Sequence, residues 1–334
     1  MYKKFSGILI VCLLFVGIML SGCSSNVRSL PDQGREVVVK VEPGMHSKEI
    51  GDLLVANGLL PKDNYFATNS RLSNLDKSLQ AGHYKFRIGM TEKELIETIN
   101  KGAVMYSSLT IPEGLYVPQI GALLEKNELG SKDKFVALAK DYAPYEYMQT
   151  NDTNVKYKAE GFLFPSTYYF PVGATEQDII KAMVDEFNRQ LTQPMREQAK
   201  AKNMDIRTLV IKASLVEKEA KHDEDRPIIA AVFENRLRIE MPLQCDATVQ
   251  YELGYAKFPL LFADLKIESP YNTYLHYGLP PGPIGNPGVE SLKAVLNPDK
   301  NDYLFFVADK NGKYYYTKTF DEHQSVTDSI DLGY

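Results

Sequence analysis

Tryptophan is missing from this sequence altogether, while cysteine occurs three times and histidine five times in 334 residues. Cys12 lies inside an apolar run and Cys23 directly after it, so Cys245 has no intramolecular partner. That excludes a disulfide framework and a cysteine-rich zinc module, and a fold without either must rest on its core. Without tryptophan, any stacking of a ring on a flat ligand falls to tyrosine and phenylalanine. Positive charge is also scarce: 38 Lys and Arg stand against 43 Asp and Glu, a formal net charge of -5. An acidic chain lacks the clustered cations that displace counterions from nucleic acid, so nucleic acid is not among its expected partners. No glycine loop with phosphate-binding spacing and no Gly-x-Ser-x-Gly elbow occurs. His222-Asp223-Glu224-Asp225 is contiguous rather than spaced along one helix face, and it reads as a solvated loop. Neither metal nor cofactor is expected. What is present, 44% hydrophobic and 24% charged residues, describes an ordinary folded protein of about two domains.

Lys3 and Lys4 precede an uncharged run over residues 5–22 that is mostly Ile, Leu, Val and Phe. This is the pattern of an export signal, and at about 18 residues it also nears the length of a spanning helix. Leu20-Ser21-Gly22-Cys23 resembles the lipobox of bacterial lipoproteins, which predicts cleavage before Cys23 and lipidation of its sulfur. The alternative is a retained single-pass transmembrane helix. Both place the remainder on the extracytoplasmic face of the cell membrane. Residues 1–23 are therefore read as signal peptide or anchor, and the polar stretch over 24–36 as a tether. Removal of the first segment, with its two lysines, takes the formal charge to -7.

The first half contains a repeat. Val41-Glu42-Pro43-Gly44 leads to Ile50 and Leu53-Leu54; Arg87-Ile88-Gly89 leads to Leu95 and Ile99; Ile111-Pro112-Glu113-Gly114 leads to Ile120 and Leu123-Leu124. A weaker fourth copy runs from Val172-Gly173 to Ile179 and Met183. Alternating stretches precede the glycines, so each unit reads as strand, glycine turn, amphipathic helix. Thr91 and Glu94 have the spacing of a capping box. Such units resemble LysM-like modules that bind cell-wall glycans; a recurrent packing unit without a ligand fits the same spacing. Phe66, Tyr84, Tyr106, Tyr116, Tyr142, Tyr145 and Tyr147 are candidates for sugar stacking, or for the core.

From residue 202 the chain changes character. Asp205 caps a helix in which Ile206, Val210, Ala213 and Ala220 cluster on the same side as Glu217, with Lys212, Lys218 and Glu219 pointing the other way. Glu217 is thus expected on the apolar stripe and Glu219 on the wet face. A carboxylate on a buried face is costly unless paired, neutral or lining a cleft, and desolvation raises its pKa toward the range a general acid needs. Periodicity alone equally allows a Glu217 satisfied by Arg226, Arg236 or Arg238. A second helix opens at Pro227. Beyond it, Gln244, Asp246, Thr248, Asn272, Thr273 and Tyr274 offer the groups that pair with sugar hydroxyls and amides, and the proline-rich turn over 278–288 is expected to wall a site.

Val216-Glu217-Lys218-Glu219, Asn235-Arg236-Leu237, Leu243-Gln244-Cys245-Asp246, Tyr271-Asn272-Thr273-Tyr274 and Gly278-Leu279-Pro280-Pro281-Gly282 together resemble the endolytic murein transglycosylase family, MltG or YceG-like. Glu160-Gly161-Phe162-Leu163-Phe164-Pro165, with Thr167-Tyr168, and Leu304-Phe305-Phe306-Val307-Ala308 match in order, and the resemblance spans about residues 37 to 328. It implies an α+β protein with LysM-like strand-turn-helix modules over 37–155 and a mixed α/β catalytic domain over 156–334. It implies cleavage of the β-1,4 bond between N-acetylmuramic acid and N-acetylglucosamine in nascent peptidoglycan, with 1,6-anhydro-N-acetylmuramic acid ends as product. The glutamate matching Glu217 would be the catalytic acid. Glu160, Tyr168, Ser214, Asn235 and Arg236 would join the six polar residues above in binding substrate. Glycan strands, the membrane and cell-wall synthases are the expected partners. The competing reading is a non-catalytic peptidoglycan-binding lipoprotein. Two features depart from the family: the lipobox, where a transmembrane helix is usual, and Cys245, where a small polar residue is expected.

Overall fold

The computed structural model describes residues 34–102, 106–171 and 174–333. Cys23, the whole signal segment and most of the tether lie outside the described residues. The chain divides into two compact units, with the border between Met105 and Tyr106.

In the first unit β1 (Glu36–Val41) pairs antiparallel with β2 (Gly82–Arg87), Val39 opposite Tyr84 and Val37 opposite Phe86. Alternation sends Val39, Val41, Tyr84 and Phe86 inward while Lys40, Lys85 and Arg87 stay in water. Three helices cover the inner face: α1 (Ser47–Ala56) with Ile50 and Leu54, α2 (Phe66–Leu72) with Phe66, and α3 (Glu92–Lys101) with Leu95 and Ile99. Each of these buried side chains contributes on the order of 2 kcal/mol of transfer free energy. The capping box that opens α3 is formed: Glu94 N–H donates to Thr91 Oγ1 at 3.3 Å and Thr91 N–H to Glu94 Oε2 at 2.7 Å.

The second unit begins with the same order of elements. β3 (Tyr106–Ile111) pairs antiparallel with β4 (Ser166–Pro171), with α4 (Val117–Lys126) and α5 (Lys132–Asp141) between them and α6 (Glu176–Gln190) after. The four strand-turn-helix copies therefore pair two by two, first with second and third with fourth. Copies three and four belong with the helices that follow, so the expected division at 155/156 differs from the border at 105/106. The reason is physical: a lone two-residue-period strand cannot satisfy its backbone, and the partner of β3 lies 55 to 65 residues downstream, across the expected border.

Then come α7 (Gln193–Ala201), α8 (Ile206–Glu219), α9 (Arg226–Arg238), α10 (Asp246–Leu253), α11 (Val289–Leu296), the hairpin β5 (Phe305–Ala308) and β6 (Tyr314–Thr317), and α12 (Phe320–Ser329). α8 runs through the middle of this assembly and contacts α7, α9, α10 and α11. Its start is capped as expected, Asp205 Oδ1 accepting from Thr208 N–H at 2.7 Å. The architecture is α+β, mixed helices with small antiparallel sheets.

Candidate active site

α8 ends on two glutamates with different surroundings. Glu217 is 6% exposed and its Oε1 lies 3.0 Å from Nη1 of Arg226, itself 9% exposed. Its Oε2 accepts from Gly288 N–H at 2.9 Å and Ser291 Oγ at 2.8 Å. Gly288 is the N-cap of α11, so this carboxylate sits on a helix N-terminus and neutralises a buried arginine. Arg226 is further tied to Asp223 at 3.0 Å and to Ser291 Oγ at 2.5 Å. The apolar-stripe position expected for Glu217 is thus occupied, and its occupant is paired with Arg226.

Glu219 is not on the wet face. It is partly buried, Cys245 Sγ donates to its Oε1 at 2.9 Å, and the backbone N–H of Ala247 donates to the same carboxylate. Burial pushes its pKa up; the hydrogen bond from the Cys245 thiol opposes this most, the charge of Asp246 adds to the rise, and Ala247 and, at longer range, Arg236 oppose it more weakly. Arg236 gives its own N–H groups to the carbonyls of Leu304 at 2.5 Å and Leu243 at 2.8 Å. Asp246 opens α10 and accepts from Tyr274 Oη at 2.5 Å; burial and that carboxylate hold the Tyr274 hydroxyl protonated. Gln244, exposed and in the left-handed region at φ 47°, stands beside them. A wet-face assignment presumes one-sided burial, whereas α10 and the β6 end, through Tyr314 donating to the Glu219 carbonyl, cover the other side of α8.

Glu160 forms a third centre. It is buried, accepts from Val117 N–H at 3.0 Å, Tyr251 Oη at 3.2 Å and Asn286 Nδ2 at 3.0 Å, and burial pushes its pKa up to about 8. Asn286 ties the proline-rich turn to the third repeat: its N–H and Nδ2 both donate to Leu115 O, its carbonyl accepts from Gly114 N–H, and its Oδ1 accepts from Leu163 N–H. A Cβ on Gly285 would lie 2.7 Å from Gly114 O, which is why this turn carries glycine there.

The other residues expected to bind substrate divide. Ser214 is buried and bonds Ile211 O and Ile284 N–H. Tyr168 bonds Phe164 O; Asn235 holds the carbonyls of Asn301 and Tyr303; Asn272 holds those of Leu265 and Ile267. Thr248 and Thr273 join hydroxyls at 3.0 Å and fix the backbone of Cys245. These side chains, with Arg236 and Glu160, brace loops from inside. Gln244, Asp246 and Tyr274 are the ones with accessible surface beside Glu219. Among the aromatic candidates, Phe66, Tyr84 and Tyr116 are buried, and Tyr145 and Tyr147 stack on each other while bonding Asp185 and Asn188; Tyr142 packs partly buried against the core. The side chain of Tyr106 lies outside the described residues. In the His222–Asp225 segment Asp225 accepts from Tyr316 Oη at 2.6 Å.

Asn286 and Ser291 escaped sequence reasoning because neither bears a charge or a period. The signal that marked Cys245 was its departure from the family pattern.

The chain matches the model of the YceG-like family over residues 39–329. It is 36% identical over 326 residues to an endolytic murein transglycosylase of Bacillus subtilis (strain 168), covering 94% of this chain and 90% of that one. A protein of the same description from Streptococcus pneumoniae is 32% identical over 315 residues, covering 86% of this chain and 57% of that one. The 2.6 Å crystal structure of a yceG-like protein from Listeria monocytogenes superposes with a TM-score of 0.62 at 32% identity, covering 88% of this chain and 99% of that one.

Proposed function

Because this chain belongs to the YceG-like family, we propose that it is an endolytic lytic transglycosylase of peptidoglycan, cutting the β-1,4 bond between N-acetylmuramic acid and N-acetylglucosamine inside glycan strands. The observation that carries the reading is the carboxyl of Glu219: partly buried, raised in pKa, and bonded to a thiol and a peptide N–H, next to the Asp246–Tyr274 pair. None of the ion pairs among the described residues includes it. Burial keeps such a group protonated to higher pH, the state from which a general acid acts. Glu217, ion-paired to Arg226 and seated on the N-terminus of α11, fits a structural role instead. We therefore assign the proton donor to Glu219 rather than Glu217.

Glu219 protonates the glycosidic oxygen as the bond to C1 of the muramyl ring breaks. The C6 hydroxyl of the same ring closes onto C1, and its proton passes to the Glu219 carboxylate, which restores the acid. No water is consumed and a 1,6-anhydro end forms. Glycosidases that manage water or a covalent adduct use two carboxylates, whereas an intramolecular hydroxyl is delivered by its own ring. Gln244, Asp246 and Tyr274 are proposed to touch the sugars. The first unit is proposed to be a LysM-like module that grips glycan, and the N-terminal segment to anchor the protein to the membrane through lipidated Cys23.

Incubation of the full-length protein with purified peptidoglycan, followed by mass spectrometry, tests the reaction. Anhydro-muramyl ends are expected. Reducing ends would indicate hydrolysis, and binding without new ends would indicate the non-catalytic reading; either result overturns the proposal.

A further inference from the structure

Cys245 is buried at 3% exposure; its sulfur faces the N–H groups of Ala247 and Thr248 and gives its own proton to the carboxylate assigned above as proton donor. The cysteine has little freedom. Its N–H donates to Thr273 Oγ1 at 2.9 Å, its carbonyl accepts from Thr248 Oγ1 at 2.7 Å, and those two hydroxyls are 3.0 Å apart. It is also the N-cap of α10, so the sulfur is presented to Glu219 by a braced backbone.

We propose that Cys245 is a positioning residue: its thiol fixes Glu219 Oε1 through a weak S–H···O bond, orienting the carboxyl while leaving it a good proton donor. This rests on the assignment of the acid to Glu219. A thiol is a poorer donor than a hydroxyl, so it orients the carboxylate with less stabilisation of the anion. Burial and the neighbouring Glu219 push the thiol pKa well up, so the proton stays on sulfur. The other groups that face Glu219 are Asp246 on α10, Arg236 on α9, Tyr274 in the following loop and Tyr314 on β6. A change at residue 245 replaces none of these groups, although Tyr274 and Arg236 also sense the thiol.

The test is the pH–rate profile of the full-length protein on purified glycan strands, for wild type, Cys245→Ser, Cys245→Ala and Glu219→Gln. A general acid loses activity as pH rises through its pKa, so a lower pKa moves the loss to lower pH. The serine hydroxyl binds the anion more strongly and should move the basic limb down by about half to one pH unit, with the plateau held within about threefold. The alanine variant loses the donor: its basic limb should move up, and its plateau should fall about five- to tenfold through lost orientation. A thiol that merely fills space would change melting temperature and leave the limb where it is. Superimposable limbs, with Glu219→Gln inactive, overturn the role of Cys245 alone. Activity in Glu219→Gln overturns the acid assignment and this inference with it. Should the alanine variant fail to fold, the direction of the serine shift decides.

Discussion

Replacing each terminal glutamate of α8 by glutamine separates the proton donor from the structural carboxylate. Glu217→Gln removes one partner of an ion pair whose side chains are 6% and 9% exposed. Breaking such a pair from one side costs about 3–5 kcal/mol, because the remaining charge stays desolvated. Asp223 still reaches Arg226, and the glutamine oxygen still accepts from Gly288 N–H or Ser291, which brings the expectation to about 2–4 kcal/mol. For a unit of this size each kcal/mol lowers the melting temperature by about 2–4 °C, so a drop of roughly 5–15 °C is expected. Turnover at 25 °C should change only with the folded fraction. Glu219→Gln breaks no ion pair and keeps an acceptor for Cys245 and Ala247, so its melting temperature should hold or rise slightly. It cannot deliver a proton, and turnover should fall by about 10²–10⁴, or roughly 3–5 kcal/mol of barrier. Calorimetry and release of anhydro-muropeptides, measured on both variants, check this. An inactive Glu217→Gln with an unchanged melting temperature, beside an active Glu219→Gln, would refute the reasoning and return the acid to Glu217.

Glu160, held at about 8 against an ordinary value near 4.5, is protonated in the fold and ionised in the unfolded chain between those pH values. Stability from this group is full below about pH 4.5 and is lost as pH rises to about 8, at about 1.4 kcal/mol per pH unit, and Glu160→Gln should flatten that slope in urea titrations. Gly161→Ala should lose about 2–4 kcal/mol: φ is +84°, and the new Cβ would meet Pro283 Cγ at 2.5 Å and Val210 Cγ1 at 2.6 Å. Retention of wild-type stability by that variant would contradict the packing described. A fatty-acid probe should label the wild type and miss Cys23→Ala; equal labelling of both would favour a retained helix.

Local pattern determined a good deal about this protein. The four strand-glycine-helix copies, the Asp205 cap, the Thr91–Glu94 box and the helix start at Pro227 all depend on residues a few positions apart, which is the range over which capping and periodicity act. The motifs in order were enough to name the family. Pairing was decided elsewhere: which strand copy joins which, and hence the border at residue 105, follows from backbone hydrogen bonds across 41 to 65 residues that no local signal encodes. The two glutamates show the same limit at the scale of one turn. A helical wheel assumes a helix with one buried side, and it placed Glu217 inward correctly and Glu219 outward wrongly. α8 is enclosed by α7, α9, α10 and α11, so both sides of its last turn are covered. One carboxylate met an arginine and a helix N-terminus; the other met a thiol and a second carboxylate. Only the tertiary structure sets those environments, because desolvation and charge pairing depend on neighbours brought from across the fold.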